Sequence, residues 1–209
     1  MIKIYHVPNS RSLRVIWLME ELEEPYAVEQ IAFPPDDAFR KLSPTASVPT
    51  IVDGDIVMGE SIAILQYLTG RRLQQSLDLK ITVGPIPDPA AYAEHLQFLH
   101  LGEASLMVPL VHLGITRWRA PEGQQSNFTT ELCERQLTSR LGAVEARLAD
   151  GRTWVTGEHF TIADISVGYA LGFARWRSLD ALLGPQAAAY LERIQARPAY
   201  QRAAGVGPR

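Results

Sequence analysis

The stretch that decides the fold is SVPTIVDGDIVMGES, residues 47–61. Its apolar, β-branched run Val48–Val52 and the shorter run Ile56–Met58 flank Asp53-Gly54, a dipeptide that favours a type I′ hairpin turn. Ser61 is a good N-cap for the apolar-periodic segment that follows it. The stretch therefore predicts two antiparallel strands that lead directly into a helix.

The same stretch has the properties of a binding site for a small anionic peptide. A strand that ends at a capped helix start offers free backbone N–H groups and a partial positive charge, which suit a carboxylate. Pro49 cannot donate to a strand ladder, so we expect it to mark a sheet edge. Its neighbour Val48 then keeps N–H and C=O groups free to pair with an extended peptide.

The residues before the hairpin alternate between strand and helix patterns. We predict strands over Ile2–Val7 and Tyr26–Ala32, and helices over Ser12–Leu22 and Asp36–Leu42. Because a helix separates the two strands, we expect them to be parallel. With the hairpin and a helix over Ile62–Leu68, the order is βαβαββα, a mixed sheet with helices on its faces.

The second half of the chain predicts a separate, all-α domain. The composition between Gly70 and Asp88 is that of a linker, and we place the boundary near residue 80, giving domains 1–79 and 80–209. The predicted helices of the second domain are Tyr92–Gly114, Phe128–Ala149 and Ile162–Leu183. Pro109 should kink the first of these, and Thr161 with Asp164 resembles a capping box that opens the last.

Composition restricts the function classes. The net charge of −3 gives no electrostatic reason to expect nucleic acid or anionic membranes as partners. Cys133 is the single cysteine, so an intrachain disulfide is excluded and the cytoplasm is the expected compartment. The N-terminus lacks a signal-peptide pattern, and we expect no membrane span. The histidines have no zinc-ligand spacing, so no metal is expected.

These motifs, read with the N-terminus, resemble the cytosolic glutathione transferase superfamily. The resemblance covers residues 2–70 with specific motifs and residues 87–202 with weaker ones, at 160–164 and 196–200. It implies a thioredoxin-like domain at 1–79 that binds glutathione as co-substrate and an all-α domain at 80–209 that contributes an electrophile pocket. It also implies a cytoplasmic homodimer that conjugates glutathione to hydrophobic electrophiles in detoxification.

The resemblance further implies a thiol-activating residue where the first strand meets the first helix. Such a residue donates a hydrogen bond to the sulfur and favours the thiolate, assisted by the positive helix end. Ser10 is the predicted residue, and Asn9, Arg11 and Ser12 are the alternatives. From spacing alone, plain helix capping is the favoured explanation of these residues, and the resemblance reverses that order for one of them.

For the tripeptide, the resemblance implies that Val48 pairs with the cysteinyl backbone, that Pro49 is cis, and that Glu60 and Ser61 hold the γ-glutamyl end. Many relatives carry Lys or Gln at the position of Ser47, where it meets the glycyl carboxylate. Arg40 or Lys41 is therefore expected to substitute, or glutathione affinity is weaker. The predicted glutathione-binding set is Lys41, Ser47, Val48, Pro49, Glu60 and Ser61.

The predicted electrophile pocket combines the first domain with the first helix of the second. Its predicted members are Pro8, Leu99, Glu103, Met107, Leu110 and Trp118. Two alternatives to conjugation are a specialised glutathione-dependent reaction, such as ether cleavage, dehalogenation or isomerisation, and a non-catalytic interaction module with the same fold.

Overall fold

The computed structural model describes residues 1–74 and 88–206 and divides the chain into two compact units. The first unit comprises Met1–Ile86 together with Gln195–Arg209, and the second comprises Pro87–Ile194. The predicted domain boundary near residue 80 lies outside the described residues.

The first unit is built on one four-stranded mixed sheet. Its strands are β1 (Ile2–His6), β2 (Tyr26–Gln30), β3 (Thr50–Asp53) and β4 (Ile56–Met58), and its first helices are α1 (Ser12–Leu22), α2 (Asp37–Leu42) and α3 (Ser61–Gln74). The strand order is β2-β1-β3-β4, with β1 parallel to β2 and the other pairs antiparallel. The predicted βαβαββα order and the parallel first pair are confirmed.

The hairpin forms where the sequence predicts it, but its turn is of another type. Asp53 pairs with Ile56, so the two-residue loop is Gly54-Asp55 rather than Asp53-Gly54. Gly54 has a φ of +62°, whereas Asp55 keeps a negative φ. A type I′ turn needs positive φ at both positions, so this pattern is that of a type II′ turn with glycine first. The I′ prediction was wrong because Asp53 is used in the strand ladder.

Pro49 does not lie within a strand, and the strand beside it is not an edge. β3 begins at Thr50 and is paired on both sides, by β1 and by β4. Pro49 therefore ends the loop that enters β3, where its missing N–H takes nothing from the ladder. The edge-strand expectation was wrong. Val48, whose N–H and C=O groups the sequence analysis assigned to a sheet edge, lies instead in the loop before β3.

Alternation along β1 directs every second side chain to the core of the unit. Ile2, Ile4 and His6 are buried, whereas Lys3 is exposed. The buried residues pack beneath α1, from which Trp17 and its neighbours are fully buried, and α1 packs against α3. The first strand thus carries one imidazole into the interior of the unit.

The C-terminal helix α9 (Pro198–Ala204) belongs to the first unit, whereas the sequence assigned this segment to the helical domain. Specific contacts hold it against α1. Arg197 makes a two-pronged ion pair with Glu21, at 2.6 and 2.7 Å, and Tyr200 meets the ring of Trp17 edge-on at 5.0 Å. The weak motif at residues 196–200 therefore serves to attach the chain end to the thioredoxin-like unit.

The second unit is helical. Its helices are α4 (Pro89–His100), a π-helical segment (Leu101–Met107), α5 (Val108–Arg119), α6 (Phe128–Leu148), α7 (Ile162–Trp176), a 3₁₀ turn (Asp180–Leu182) and α8 (Pro185–Gln195). The continuous stretch Pro89–Arg119 is, among the described residues, the one helical stretch that passes a length-and-composition test for a membrane span. Half of its most apolar window is buried inside the protein, as in the core helix of a globular domain.

The irregularity expected at Pro109 takes the form of the π-helical segment that precedes it. Proline has no N–H to give to the carbonyl of Ser105, four residues earlier. Arg140 of α6 supplies a donor instead, with its Nη1 at 2.9 Å from that carbonyl oxygen. The wider π turn also lets Gly102 meet Ser166 closely, since a Cβ at Gly102 would lie 2.3 Å from the Ser166 Oγ.

The predicted capping box at the start of α7 is confirmed. Thr161 Oγ1 accepts from the N–H of Ala163, and the Asp164 carboxylate accepts from the N–H of Thr161 at 2.8 Å. Asp164 is completely buried and also accepts from Tyr190 and from the N–H of Val155. Burial raises the pKa of Asp164 to about 6, against the effect of these hydrogen bonds.

Candidate functional site

A chain of three side chains lies at the junction of β1 and α1. The Nδ1 atom of His6 is 2.7 Å from the Oγ of Ser12, and that Oγ is 2.6 Å from the Oγ of Ser10. Ser10 in turn donates to the carbonyl of Val7 at 2.6 Å. Two of the residues that the sequence left as alternatives, Ser10 and Ser12, are therefore not independent, because they form one network with His6.

The hydrogen bonds can be given directions. A hydroxyl has one proton, and that of Ser10 is donated to Val7. Ser12 must then donate to Ser10, and His6 must donate to Ser12 through Nδ1–H. In this assignment Nδ1 carries the proton of the neutral imidazole, and Nε2 is its unprotonated nitrogen. Each donor in the chain polarises the next, and the last donor is Ser10.

His6 is the member of the site that the sequence analysis missed. Only 2% of its surface is exposed, and burial lowers its pKa, an effect that the main chain of Val206 opposes. The imidazole is thus neutral at pH 7. The signal was present in the alternation Ile2, Ile4, His6, which places the ring on the buried face at the end of β1.

Asn9 and Arg11 occupy the two positions beside Ser10 in the loop. Asn9 is exposed, has a left-handed φ of +59°, and makes no side-chain hydrogen bond within residues 1–74 and 88–206. Arg11 stands at the N-cap position of α1, but its side chain caps no helical N–H. Ser10 carries out part of that task, since its Oγ and C=O accept from the N–H groups of Ser12 and Leu13.

A buried arginine supports the start of α3. Arg14 on α1 is fully buried, and its Nη1 donates to the Oγ of Ser61 at 3.0 Å. Because the Ser61 hydroxyl accepts this hydrogen bond, its own proton remains available for donation. Arg14 also contributes a positive charge beside the N-terminus of α3, whose N–H groups and dipole favour an anion. The sequence analysis missed Arg14, which the helical pattern marks only as a position on the apolar face of α1.

Glu60, rather than Ser61, occupies the N-cap position of α3. The carbonyl of Glu60 accepts the first helical hydrogen bond, from the N–H of Ile64 at 2.9 Å, and Ser61 is the first residue of the helix. Glu60 is exposed with a left-handed φ of +64°, a conformation uncommon for a residue with a side chain. The N-cap expectation for Ser61 was wrong by one position, and both residues still lie at the helix N-terminus.

The loop that enters β3 contains the remaining predicted peptide contacts. The Val48–Pro49 peptide bond is cis, as the resemblance implies. Ser47 is exposed and its Oγ lies 2.8 Å from the Oγ1 of Thr45. Of the two nearby cations, Arg40 donates through Nε to the carbonyl of Pro35, whereas Lys41 is exposed and makes no ion pair or hydrogen bond in the part of the chain that the structure describes.

The residues predicted to line an electrophile pocket differ in exposure. Leu99, Met107 and Leu110 are buried in the second unit, with at most 1% of their surface exposed. Glu103 is half-buried and Trp118 is 66% exposed. Pro8, in the first unit, is half-buried beside the Ser10 loop. Their assignment to one pocket stays a prediction.

The described residues contain no evident set of metal ligands. Across residues 1–74 and 88–206, no three His, Cys, Asp or Glu side chains are grouped so that they could hold an ion. Cys133, the single thiol of the chain, is buried in α6, and burial raises its pKa. The chemistry that the first unit can offer is therefore hydrogen-bond donation from Ser10, with fixed positive charge from Arg14 and from the ends of α1 and α3.

Two family models match the chain. The family model of the glutathione S-transferase N-terminal domain matches residues 10–71, and that of the C-terminal domain matches residues 127–200. Glutathione S-transferase 3 of Zea mays is 30% identical over 176 residues, which are 81% of this chain and 76% of that protein. Glutathione S-transferase 3 of Schizosaccharomyces pombe is 35% identical over 111 residues, 51% of this chain and 43% of that protein, so this match spans less than half of the yeast protein.

A solved structure extends the likeness to the whole fold. A glutathione transferase family member from Pseudomonas fluorescens, crystallised with two glutathione bound, has a TM-score of 0.79 and 25% identity, covering 97% of this chain and 92% of that chain. Its similarity includes both the sheet-containing unit and the helical unit. The chain therefore belongs to the glutathione S-transferase family.

Proposed function

We propose that this protein is a glutathione transferase that conjugates the glutathione thiolate to a hydrophobic electrophile. The single observation that carries the proposal is the hydrogen-bonded chain from His6 through Ser12 to Ser10, at the N-terminus of α1. The proposal draws support from family membership and from the glutathione bound to the Pseudomonas fluorescens relative.

Ser10 is the proposed thiol-activating residue. Its hydroxyl donates to the carbonyl of Val7, and rotation about the Cβ–Oγ bond redirects this donor to the sulfur atom of the bound thiol. The Ser12 hydroxyl continues to donate to the Ser10 oxygen, which makes Ser10 a stronger donor. A hydrogen bond to the thiolate, together with the positive end of α1, lowers the thiol pKa because both favour the charged form. Ser10 itself forms no covalent bond.

The peptide part of glutathione is proposed to bind across the loop before β3 and the start of α3. Ser61, oriented by Arg14, and the N-terminus of α3 hold the γ-glutamyl carboxylate, and Glu60 accepts from the γ-glutamyl ammonium. Val48 pairs with the cysteinyl main chain through its own N–H and C=O. Lys41 is the proposed partner of the glycyl carboxylate, with Ser47 beside it.

The reaction follows from the activated sulfur. The thiolate attacks an electrophilic carbon, a C–S bond forms, and the leaving group departs with the electron pair of the bond that breaks. Of the residues predicted to line an electrophile pocket, Glu103 and Trp118 of the second unit keep exposed surface and are proposed to contact the acceptor. The role in detoxification, the cytoplasmic location and the homodimer are proposed from the same family resemblance. A non-catalytic module is not favoured by the comparisons.

Calorimetric titration with glutathione and with S-methylglutathione tests the proposal. Both ligands share the peptide groups, and only glutathione has an ionisable thiol. Specific binding of both ligands, with proton release for glutathione alone, is the expected result. Absence of binding up to millimolar glutathione would overturn the proposal. Binding without proton release would separate peptide recognition from thiol activation.

A further inference from the structure

The C-terminal segment, residues 197–206, packs against the helix that carries Ser12. This segment contains α9 and belongs to the first unit, together with β1 and α1. Ala199 and Ala203, one helical turn apart, are the buried residues of α9, and their small side chains let the two helices lie close together. The C-terminal segment is therefore part of the structure on which the proposed reaction centre is built.

Two adjacent carboxylates near the end of α1 hold the C-terminal segment in place. Glu21 accepts from the guanidinium of Arg197 and, at 2.9 Å, from the indole N–H of Trp17. Glu20 accepts from Nε of Arg202 at 2.5 Å, and its main-chain carbonyl accepts from Nη2 of the same residue at 3.2 Å. The side chains of Glu20 and Glu21 are only 18% and 8% exposed, so solvent and salt screen these ion pairs weakly.

The end of the C-terminal segment reaches the His6 ring. Gly205 ends α9, and the N–H of Val206 then donates to the carbonyl of Ala203 at 3.1 Å. Burial lowers the pKa of His6, and the main-chain carbonyl of Val206, which can accept from the ring, acts in the opposite direction. Because Nδ1 already has Ser12 as its partner, Val206 is the partner available to the second ring nitrogen.

His6 thus has neighbours from opposite ends of the sequence, Ser12 and Val206. A side chain with a polar neighbour at each ring nitrogen is held in one orientation, whereas a ring with a single partner turns more freely. Turning of the ring would break the 2.7 Å contact from Nδ1 to Ser12, and the Ser12 hydroxyl is the donor to Ser10. The placement of the C-terminal segment therefore bears on the orientation of the Ser10 hydroxyl.

We propose that the C-terminal segment is a positioning element of the proposed reaction centre: the carbonyl of Val206 holds the His6 ring, and the ring orients Ser10 through Ser12. This inference rests on the role proposed for Ser10 in thiol activation. Val206 acts through His6 and is therefore a positioning residue. The ion pairs of the C-terminal segment act one step further away, by keeping α9 against α1.

The first test compares two shortened chains without glutathione. A chain that ends at Ala204 lacks the Val206 carbonyl, and a chain that ends at Gly207 retains it and is the matched control. NMR measures the nitrogen chemical shifts of the His6 ring, which are identified by their loss in His6→Gln. We expect these shifts to change in the chain that ends at Ala204 and to stay as they are in the control. Unchanged shifts in both chains would overturn the inference, whether or not the protein binds glutathione.

The second test measures the effect on the bound thiol. We expect the chain that ends at Ala204 to have a kcat at least about threefold lower than the control and a raised pKa of the bound thiol, with KM for glutathione within about twofold. In the His6→Gln background, the two chain lengths should have equal kcat and thiol pKa, because the ring that links Val206 to Ser12 is gone. A fall in kcat of the same size in that background would show that the segment only stabilises the unit.

Arg202→Met gives a result even if the chain that ends at Ala204 fails to fold, because the Arg202 side chain is 53% exposed. It loosens α9, so we expect it to change the His6 shifts and to raise the thiol pKa, by less than the truncation does. Arg175→Met is the matched control, because Arg175 forms an ion pair of similar length, 2.7 Å, with Glu192 in the second unit. It should alter neither quantity.

Two outcomes separate this inference from the proposed function. If the shorter chain does not fold, unchanged His6 shifts in Arg202→Met overturn the inference. Absence of glutathione binding by the unaltered protein would instead overturn the transferase proposal, and with it the role of the C-terminal segment in thiol activation. The His6 shifts would still decide whether Val206 holds the ring.

Discussion

His6 and Ser12 are joined by a 2.7 Å hydrogen bond between the imidazole Nδ1 and the hydroxyl, in the interior of the first unit. Both side chains are buried, with 2% and 0% of their surface exposed. Because the Ser12 hydroxyl also reaches Ser10 at 2.6 Å, a group in the protein interior fixes the orientation of a hydroxyl at the proposed reaction centre.

Removal of the Ser10 hydroxyl should impair thiol activation and spare peptide binding. We expect Ser10→Ala to lower the conjugation rate at neutral pH and to raise the pKa of the bound thiol, with glutathione affinity changed by a few-fold at most. The thiolate absorbance of the complex, titrated against pH, measures this pKa. Asn9→Ala is the control at the neighbouring loop position. A raised thiol pKa in Asn9→Ala, with none in Ser10→Ala, would transfer the role to the Asn9 amide.

Compared with Ser10→Ala, loss of the Ser12 hydroxyl should have a smaller effect on the conjugation rate and a larger effect on the free energy of unfolding. Ser12→Ala leaves Ser10 in place but removes its donor and leaves the Nδ1–H of His6 buried without an acceptor, at a cost of about 1–3 kcal/mol in the free energy of unfolding. Urea unfolding measures the stability, and the thiol titration measures the effect on Ser10. We expect a rise in thiol pKa smaller than that of Ser10→Ala. An unchanged pKa would show that the chain only holds the loop.

From the Arg14–Ser61 contact we predict that a substitution of Ser61 changes the KM for glutathione more than it changes kcat. Ser61→Ala removes a donor to the γ-glutamyl carboxylate, so we expect KM for glutathione to rise about tenfold, which corresponds to about 1.4 kcal/mol, with kcat within a few-fold. Steady-state kinetics at varied glutathione separates the two constants. Ser61→Thr keeps the hydroxyl and is the control that should retain a KM near that of the unaltered protein. A proportional fall in kcat would place Ser61 in the transition state instead.

Lys41 and Arg40 are adjacent cations with different surroundings, and they form a matched pair. Lys41 is without a partner among the described residues, whereas Arg40 Nε is bonded to the Pro35 carbonyl. We expect Lys41→Met to weaken glutathione about three- to tenfold and to leave γ-glutamylcysteine, which lacks the glycyl carboxylate, unaffected. Arg40→Met should change neither ligand. Calorimetry with both peptides decides, and equal weakening of both would exclude Lys41 as the glycyl partner.

Local patterns predicted the order of elements in the first unit but not the contacts that assemble its site. Alternation, helical spacing and turn residues are properties of neighbouring positions, so β1, α1 and the hairpin could be predicted. The contact of Arg14 with Ser61 joins residues 47 positions apart, and the ion pair of Glu21 with Arg197 joins residues 176 positions apart. Such contacts depend on how the helices pack, which no local pattern encodes. Two predictions were wrong by one residue. Asp53, predicted as a turn residue, pairs in β3, and Ser61, predicted as the N-cap, is the first residue of α3.

Buried histidines should make the protein less stable in mild acid. Burial lowers the pKa of His6, and burial followed by repulsion from His100 lowers that of His95. A native pKa below the unfolded value of about 6.5 means that the unfolded chain binds more protons, so the free energy of unfolding is highest above that pH and falls as pH drops below it.

Urea unfolding at about pH 7.5 and about pH 5 measures this loss. His6→Gln and His95→Gln should each reduce the difference between the two pH values, because each removes one group whose protonation opposes folding. His112→Gln, which changes an exposed imidazole, is the control and should leave the difference unaltered. If the His6→Gln variant keeps the full pH dependence, then the imidazole already carries its second proton in the folded state at pH 5. Its Nε2 would in that case have an acceptor, and the direction assigned to the hydrogen bonds from His6 to Ser10 would have to be reversed or extended.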